Sequence, residues 1–220
     1  MRILCTHNNG GVGKTTLAVH IAGLLLEKGR NVLMIDCDDQ ADFWRFFTRG
    51  KSPVKNQVYH RLGNSTVVWN KTREPTKSVA KPDEYADVVL DIDSPLSNTV
   101  QMIIGSQPDL VLVPVNTSQE IKALANLPRT LKVMSGIGKS IGINPRVVVV
   151  PLGVSGDSVK NVVDQIESEN KPTNCRTAPA LPELQKEMQK AIYQDYRYIW
   201  SYDWYECSQL ASHFNALLTP

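Results

Sequence analysis

The sequence predicts an α/β domain: a doubly wound, mostly parallel sheet with helices on both faces. Short runs of β-branched and apolar residues recur along the chain, and segments with helical spacing separate them. The runs are continuous rather than alternating, which is typical of strands buried on both faces of a parallel sheet. A chain of 220 residues suits one such unit, so we expect residues 1–220 to form a single domain.

The expected strands and helices alternate along the chain. The first strand covers 2–6, and the helix after it covers 15–28, where Leu17, Ile21 and Leu24 keep helical spacing before Gly29. Further strands are expected at 32–35, 88–90, 110–113 and 147–150, and further helices at about 118–135, 158–169, 182–194 and 203–218. Ligands of such a sheet bind beyond the carboxyl ends of its strands.

Composition and charge exclude several classes of protein. With 42% hydrophobic and 21% charged residues, the chain is neither disordered nor fibrous. Its apolar runs are shorter than the roughly 18 residues of a membrane span, and residues 2–7 do not resemble a signal peptide. The cysteines form no Cys-x-x-Cys pair, which favours reduced thiols over a metal site: Cys5, Cys37, Cys175 and Cys207. We therefore expect a cytoplasmic protein.

A glycine-rich segment joins the first strand to the first helix, with the sequence Gly10-Gly11-Val12-Gly13-Lys14-Thr15-Thr16. Backbone N–H groups at such a turn, together with the helix dipole, bind anions, and the glycines let the backbone close around phosphates. Lys14 would reach the β- and γ-phosphates, and the Thr15 hydroxyl would bind Mg²⁺. We expect Thr16 to contact the α-phosphate. The segment predicts a site for ATP and magnesium.

Acidic residues follow two of the predicted strands. Asp36 and Asp38 end the second strand, and Asp91 ends the strand at 88–90. Carboxylates at strand ends beside a phosphate loop hold Mg²⁺ through its waters or orient an attacking water. We therefore predict a magnesium or water role for these three, whereas Asp39 and Asp93 are weaker candidates.

These motifs resemble the deviant Walker A ATPases of the ParA/MinD family. The resemblance rests on residues 10–16, 29–40, 85–91 and 109–115, and it covers roughly the first 120 residues. It implies a P-loop NTPase fold in which ATP joins two subunits face to face and hydrolysis separates them. It also implies that Asp38 positions the attacking water, with Asp36 and Asp91 near the magnesium ion.

The same resemblance implies a cargo-positioning function. The ATP-bound homodimer of that family binds DNA without sequence preference, or a membrane, and a small adaptor protein stimulates hydrolysis. Cargoes include plasmids, chromosome origins and protein organelles. The predicted terminal helix has no Lys or Arg between Glu206 and Leu218, which disfavours a membrane and leaves the nucleoid as the expected location.

One position departs from the family pattern. The family's signature lysine precedes the two glycines, and this sequence has Asn9 there. Asn9 can donate a hydrogen bond to the nucleotide but supplies no charge. Either dimer-linked hydrolysis is slow, or another lysine takes the place. The carboxysome-positioning McdA branch also lacks that lysine, so the chain resembles that branch in this respect.

Two further segments have functional interpretations. Residues 45–81 contain nine Lys or Arg residues and one acid, Glu74, together with Trp44, Phe46, Phe47 and Trp69 at or within the block. This block is either a DNA-contacting surface or a solvated excursion. The aromatic run 193–205 suits an adaptor or dimer interface, a loop at the nucleotide, or core packing. His20, in the first helix, is expected to be a packing residue.

Two other functions use the same phosphate loop. A dethiobiotin-synthetase-like ligase would bind a small substrate in place of the second subunit, and the absence of the signature lysine slightly favours it. The Asp36-x-Asp38-x-Gln40 element favours the positioning ATPase. A metal-delivery ATPase is disfavoured because the cysteines are unpaired in sequence.

Overall fold

The computed structural model describes residues 1–203 and 205–219, with the side chains of 205–207 outside that description. Within these residues one eight-stranded sheet forms from β1 Arg2–Cys5, β2 Val32–Cys37, β3 Val58–Leu62, β4 Ser65–Trp69, β5 Asp87–Ile92, β6 Leu110–Asn116, β7 Arg146–Leu152 and β8 Cys175–Thr177. The strand order is β3-β4-β2-β5-β1-β6-β7-β8. β3 pairs antiparallel with β4, and every other neighbouring pair is parallel. The predicted mostly parallel sheet is confirmed.

Helices connect the strands and cover both faces of the sheet. The α-helices are α1 Lys14–Glu27, α2 Asp42–Phe47, α3 Thr76–Val79, α4 Leu96–Ser106, α5 Glu120–Ile141, α6 Gly156–Asp164, α7 Gln185–Lys190 and α8 Tyr205–Leu218. One apolar cluster joins the sheet to α1, α2, α7 and α8, and a second joins the opposite face to α4, α5 and α6. This two-sided covering explains why the strand sequences are continuously apolar, and all six residues of β2 are buried.

The block 45–81 is not the solvated excursion of the second interpretation, whereas its contact with DNA stays a prediction. It contains the hairpin β3–β4, which extends the sheet and turns at Gly63 and Asn64. A Gly-Asn pair between two β-rich runs is a hairpin signal that could have predicted it. The aromatic side chains of this region lie in the core rather than on a surface: Trp44, Phe46, Phe47 and Trp69. They therefore do not interleave with the basic residues as a nucleic-acid contact.

Other helix boundaries also differ from the expected ones. Helix α5 continues beyond 135 to Ile141, where Gly142 in the left-handed region ends it. Helix α7 is shorter than 182–194, because a π-helical turn, Ala191–Asp195, replaces its second half. Helices α2, α3 and α4 lie outside all the helices that the sequence predicts.

The terminal helix packs as predicted. Leu210, Phe214 and Leu217 of α8 are buried in the first apolar cluster. His20 is fully buried, stacks on Phe214, and accepts a hydrogen bond from the Ile199 amide at 3.0 Å. Its Nδ1 then donates to the Thr16 carbonyl at 2.7 Å, which confirms the packing role. Among the described residues, none of the helices has the length and apolarity needed to cross a bilayer.

Candidate nucleotide site

The glycine-rich loop connects the end of β1 to the start of α1 and adopts a conformation that requires glycine. Gly11 has φ 71° and Gly13 has φ 103°, both in the left-handed region. A Cβ atom on Gly13 would lie 2.5 Å from Cδ1 of Leu152, at the end of β7. The Val12 side chain is fully buried in the core, so Val12 can offer only its backbone to a ligand. The loop therefore forms a narrow cradle of backbone groups against β7.

Lys14 is the cation of the site. It is 7% exposed, and its Nζ donates to the Asn9 carbonyl at 2.7 Å and to Ser94 Oγ at 3.2 Å. Burial lowers the pKa of Lys14, while Asp91 opposes that shift. The ammonium group is thus held by two neutral oxygens, those of Asn9 and Ser94, which a negatively charged acceptor could replace.

Thr15 and Asp91 meet at the carboxyl ends of the central strands. The Thr15 hydroxyl donates to Asp91 Oδ2 at 2.7 Å, whereas Asp91 Oδ1 is buried with no hydrogen-bond partner in the described part of the chain. Burial is the main cause that raises the pKa of Asp91 to about 8, and the Thr15 bond acts in the opposite direction. A buried carboxylate oxygen without a partner is costly unless a ligand satisfies it.

Asp36 lies opposite Asp91 in the register of β2 and β5 but makes different contacts. Its two carboxylate oxygens accept the backbone N–H groups of Asp38, at 2.9 Å, and Trp44, at 2.7 Å. It is fully buried and does not line the cleft. Burial and the neighbouring Asp91 raise its pKa well above the usual range. The Asp36 side chain thus holds the backbone after β2 through both of its oxygens, and its magnesium role stays a prediction.

Asp38 and Thr16 line the cleft itself. Asp38 follows β2, and its Oδ1 accepts the Gln40 amide at 2.8 Å. Partial burial raises the pKa of Asp38, and the nearby Lys14 counteracts this. Asp38 therefore keeps a carboxylate oxygen directed to the same cavity as the loop.

Asn9, at the position of the missing lysine, contacts its own chain. Its Oδ1 accepts a hydrogen bond from Asn126 Nδ2 of α5 at 3.1 Å. Its Nδ2 is a buried atom without a partner among the described residues. The backbone N–H of Asn9 donates to His7 Nδ1 at 3.0 Å. The side chain is therefore oriented towards α5.

The cleft has a cavity volume of about 450 Å³, within the usual range for small-molecule sites of roughly 300–1,000 Å³. The glycine loop and acidic side chains form the polar part of its lining, and an apolar part consists of Leu152, Pro182, Leu184 and Met188. Sequence reasoning missed this apolar wall. Tyr193, in the π-helical turn, also lines the cleft.

The rest of the aromatic run packs inside the fold. The side chains that pack partly buried against the first apolar cluster are Tyr196, Tyr198, Trp200 and Tyr202. The Trp200 indole donates to the Glu27 carboxylate at 3.0 Å. Trp204 and the side chain of Tyr205 lie outside the described residues. The described members of this run therefore pack against the core or line the cleft, and the adaptor or dimer interface stays a prediction.

A glycine cradle at a helix N-terminus, a buried lysine and threonine, and carboxylates at adjacent strand ends define a P-loop nucleotide-binding protein. A matching family model extends from residue 3 to residue 192. The chain belongs to the family of this model, CbiA, the CobQ/CobB/MinD/ParA nucleotide-binding domain.

Individual relatives agree with this assignment. The chain is 30% identical over 114 residues to protein ParA of Rhizobium radiobacter, a match that spans 51% of this chain and 47% of ParA. The fold is similar to that of apo McdA from Cyanothece, with a TM-score of 0.75, 17% identity and 99% of both chains covered. A variant of Cyanothece McdA in complex with ATP gives a TM-score of 0.74 at 18% identity, covering 98% of this chain and 94% of that one.

Proposed function

We propose that this chain is an ATP-hydrolysing switch that positions or partitions a cargo, in the manner that the ParA/MinD resemblance implies. The observation that carries the proposal is the shared cleft: the glycine loop, Lys14, Thr15 and three carboxylates line one cavity. The similarity to McdA along nearly the whole chain supports a compact positioning ATPase over a ligase. One of these relatives, the variant of Cyanothece McdA, is in complex with ATP.

The proposed site holds ATP with its phosphates on the glycine loop and its base towards Leu184 and Met188. Thr15 and Asp91 are the proposed magnesium partners, because the unsatisfied Asp91 Oδ1 is a hard oxygen ligand beside a hydroxyl. When bound, magnesium would neutralise charge on the phosphates. Asp36 lies beside Asp91 in the sheet register and holds the backbone after β2 through the amides of Asp38 and Trp44.

Asp38 is the proposed residue that orients the attacking water. It lines the cleft with a free carboxylate oxygen, and Lys14 lies on the same cavity. Lys14 would exchange the Asn9 carbonyl for the β- and γ-phosphate oxygens. Water orientation and electrostatic stabilisation are the main contributions that such sites make to phosphoryl transfer.

The central test is magnesium-dependent ATP turnover. We expect wild-type protein to bind and hydrolyse ATP, and Asp38→Ala to bind ATP but lose at least about tenfold in turnover. Asp83→Asn is the control, since this exposed carboxylate pairs with Arg2 at the opposite end of the sheet. Absence of ATP binding by the folded wild-type protein would refute the function, and equal turnover by Asp38→Ala would refute the role of Asp38.

The proposed switch is an ATP-dependent homodimer. Asn9 carries no charge, and its side chain is bonded to Asn126 of the same chain. Dimerisation is therefore proposed to proceed without a cation from position 9. Light scattering of Asp38→Ala should give a monomer without nucleotide and a dimer with ATP and magnesium. A monomer under both conditions contradicts this part of the proposal.

Nonspecific DNA is the proposed matrix on which the dimer moves, which would make the protein nucleoid-associated. Three of the nine basic residues in 45–81 form ion pairs, namely Arg45, Arg73 and Lys81. The other six are exposed and form no ion pair with the part of the chain that the structure describes: Arg49, Lys51, Lys55, Arg61, Lys71 and Lys77. Of these, Arg61 lies on the edge strand β3, and Lys55 and Lys71 flank the β3–β4 hairpin, which gives this edge of the sheet a positive charge.

DNA binding is tested by fluorescence anisotropy with a labelled random-sequence duplex at several salt concentrations. Affinity should require ATP and fall steeply with salt, because phosphate contacts release counterions. Lys55→Gln with Arg61→Gln should weaken it, and Arg129→Gln on α5, an exposed arginine outside the block, is the matched control. Equal losses in both variants would exclude the β3–β4 edge as the DNA surface.

A small adaptor protein is the proposed activator of hydrolysis and link to the cargo. The prediction is that turnover rises only when DNA and the adaptor are both present. Candidate adaptors are the products of neighbouring genes, assayed one at a time with a steady phosphate-release measurement. Turnover that is stimulated by a small metabolite instead would favour a ligase.

A further inference from the structure

We propose that Arg73 is a positioning residue that neutralises Asp93 at the wall of the phosphate cleft and so makes the site selective for a nucleoside triphosphate over a diphosphate. The proposal rests on the proposed nucleotide site and concerns a residue that sequence reasoning assigned to the basic block. Arg73 itself is not among the cleft-lining residues, and it approaches Asp93 from behind the cleft wall.

The pairing between Arg73 and Asp93 uses the full guanidinium fork. Arg73 Nε donates to Asp93 Oδ1 at 3.0 Å, and Nη2 donates to Oδ2 at 2.6 Å. Asn98 Nδ2 adds a third bond to Asp93 Oδ1 at 2.8 Å. The two charged side chains are only 16% and 20% exposed. A bidentate, partly desolvated pair of this kind is stronger and more directional than a surface ion pair.

The backbone around Arg73 is built to hold this geometry. Arg73 has φ 55°, a left-handed conformation that is unfavourable for an arginine. Its amide donates to the Asn70 carbonyl at 3.0 Å, and the buried Asn70 side chain bonds both backbone groups of Glu74. Arg73 Nη2 also reaches Asp39 at 3.5 Å. One guanidinium therefore ties the segment after β4 to the segments that follow β2 and β5.

Asp93 lies at the end of the cleft where a terminal phosphate would bind. Its neighbour Ser94 accepts a hydrogen bond from Lys14, the residue that contacts β- and γ-phosphates in such loops. Asp38, Asp42 and Asp93 line the cleft, whereas Lys14 is the one cation among its described lining residues. A triphosphate brings further negative charge into this acidic surrounding. Without Arg73, the Asp93 carboxylate would repel the terminal phosphate.

If Arg73 acts as proposed, its removal should weaken the binding of a triphosphate more than that of a diphosphate. A purely structural role would weaken the binding of both equally. Wild-type protein, Arg73→Gln, Asp93→Asn and the double variant are compared by calorimetric titration with ATPγS and with ADP, both with magnesium. Arg73→Gln should weaken ATPγS binding about tenfold, because an uncompensated like charge faces the last phosphate, and ADP binding less than about threefold. Asp93→Asn should restore ATPγS binding in the Arg73→Gln background, because it removes the repelling charge.

The chain contains a matched control pair. Arg30 forms a bidentate ion pair with Asp87 at the start of β5, whereas Asp93 follows the end of the same strand. The two pairs are separated by roughly 20 Å of extended chain. Arg30→Gln removes a similar fork at the far end of the sheet and should leave both affinities unchanged. Urea denaturation of each variant verifies that the folded state is the one titrated.

Each result separates the proposals. Equal weakening of ATPγS and ADP by Arg73→Gln, or no recovery in the double variant, overturns the role of Arg73 while leaving the nucleotide site intact. If wild-type protein binds neither ligand, the proposed function fails as well. Should Arg73→Gln not fold, Asp93→Asn alone decides: ATPγS affinity equal to or above wild type supports the inference, and a loss of more than about threefold overturns it.

Discussion

The conformation of Gly13 leads to a quantitative prediction for Gly13→Ala. Its φ of 103° is unfavourable for an L-residue, which costs about 1–2 kcal/mol. The added methyl group would lie 2.5 Å from Leu152 Cδ1, so Leu152 must move by about 1 Å to reach ordinary contact. Overpacking of this kind costs roughly 1–3 kcal/mol. The free energy of unfolding should therefore fall by roughly 2–5 kcal/mol, a large part of a typical total of about 5–15 kcal/mol.

Urea denaturation followed by tryptophan fluorescence measures this change. Gly10→Ala is the control, because Gly10 has no heavy atom within 4 Å of an added Cβ. Its effect on stability should stay within about 0.5 kcal/mol. Leu152→Ala removes the clashing side chain, so Gly13→Ala should cost about 1–3 kcal/mol less in that background. Equal stability of the two alanine variants, or strict additivity with Leu152→Ala, would refute the assignment of the loop to a steric cradle against β7.

Three further predictions concern the interior around the site. Because burial raises the pKa of Asp91 to about 8 in the folded state, this group should make the unliganded protein lose stability as pH rises from about 4 to 8, by at most about 1.4 kcal/mol per pH unit. Asp91→Asn should reduce this dependence in urea titrations at each pH, while the raised pKa of Asp36 leaves part of it in place; parallel curves for the two proteins would contradict it. Asp36→Asn replaces one of two acceptor oxygens with a donor facing the amide of Asp38 or Trp44, so the free energy of unfolding should fall by about 1–3 kcal/mol, and an unchanged urea midpoint would count against that account. Phe214→Ala deletes a fully buried ring stacked on His20 and should cost about 3–5 kcal/mol in the same assay, with Phe214→Leu retaining most of the stability.

The central part of the fold could be predicted because its sequence signals are local. The continuous apolar run at 32–35 became the buried strand β2, and the periodic segment at 15–28 became α1. The edge of the sheet was missed for a physical reason. Strand β3 is half-exposed, and three consecutive polar or amphipathic residues at its centre make its composition resemble that of a loop. Its pairing with β4 is decided by cross-strand contacts rather than by its own propensity.

The acidic residues of the site likewise could be predicted in part from the sequence and in part not. The sequence predicted Asp36 and Asp91 as equivalent strand ends, and they do lie side by side in the register of β2 and β5. The tertiary structure separates their environments: Asp36 caps backbone amides, whereas Asp91 meets Thr15 and keeps one oxygen without a partner among the described residues. Which oxygen is free depends on where α1 and α2 begin relative to the sheet, and strand sequences do not encode that.

The sequence by itself determined the chemistry available at the carboxyl end of the sheet: a glycine turn, a lysine, a threonine and acids next to buried strands. Only the tertiary structure decided the contacts between distant segments, such as Asn9 with Asn126, Arg73 with Asp93, and Gly13 with Leu152. Local spacing fixes backbone conformation and burial, because those depend on neighbouring residues. Side-chain partners depend on sheet register and helix packing, which bring together residues from distant parts of the chain.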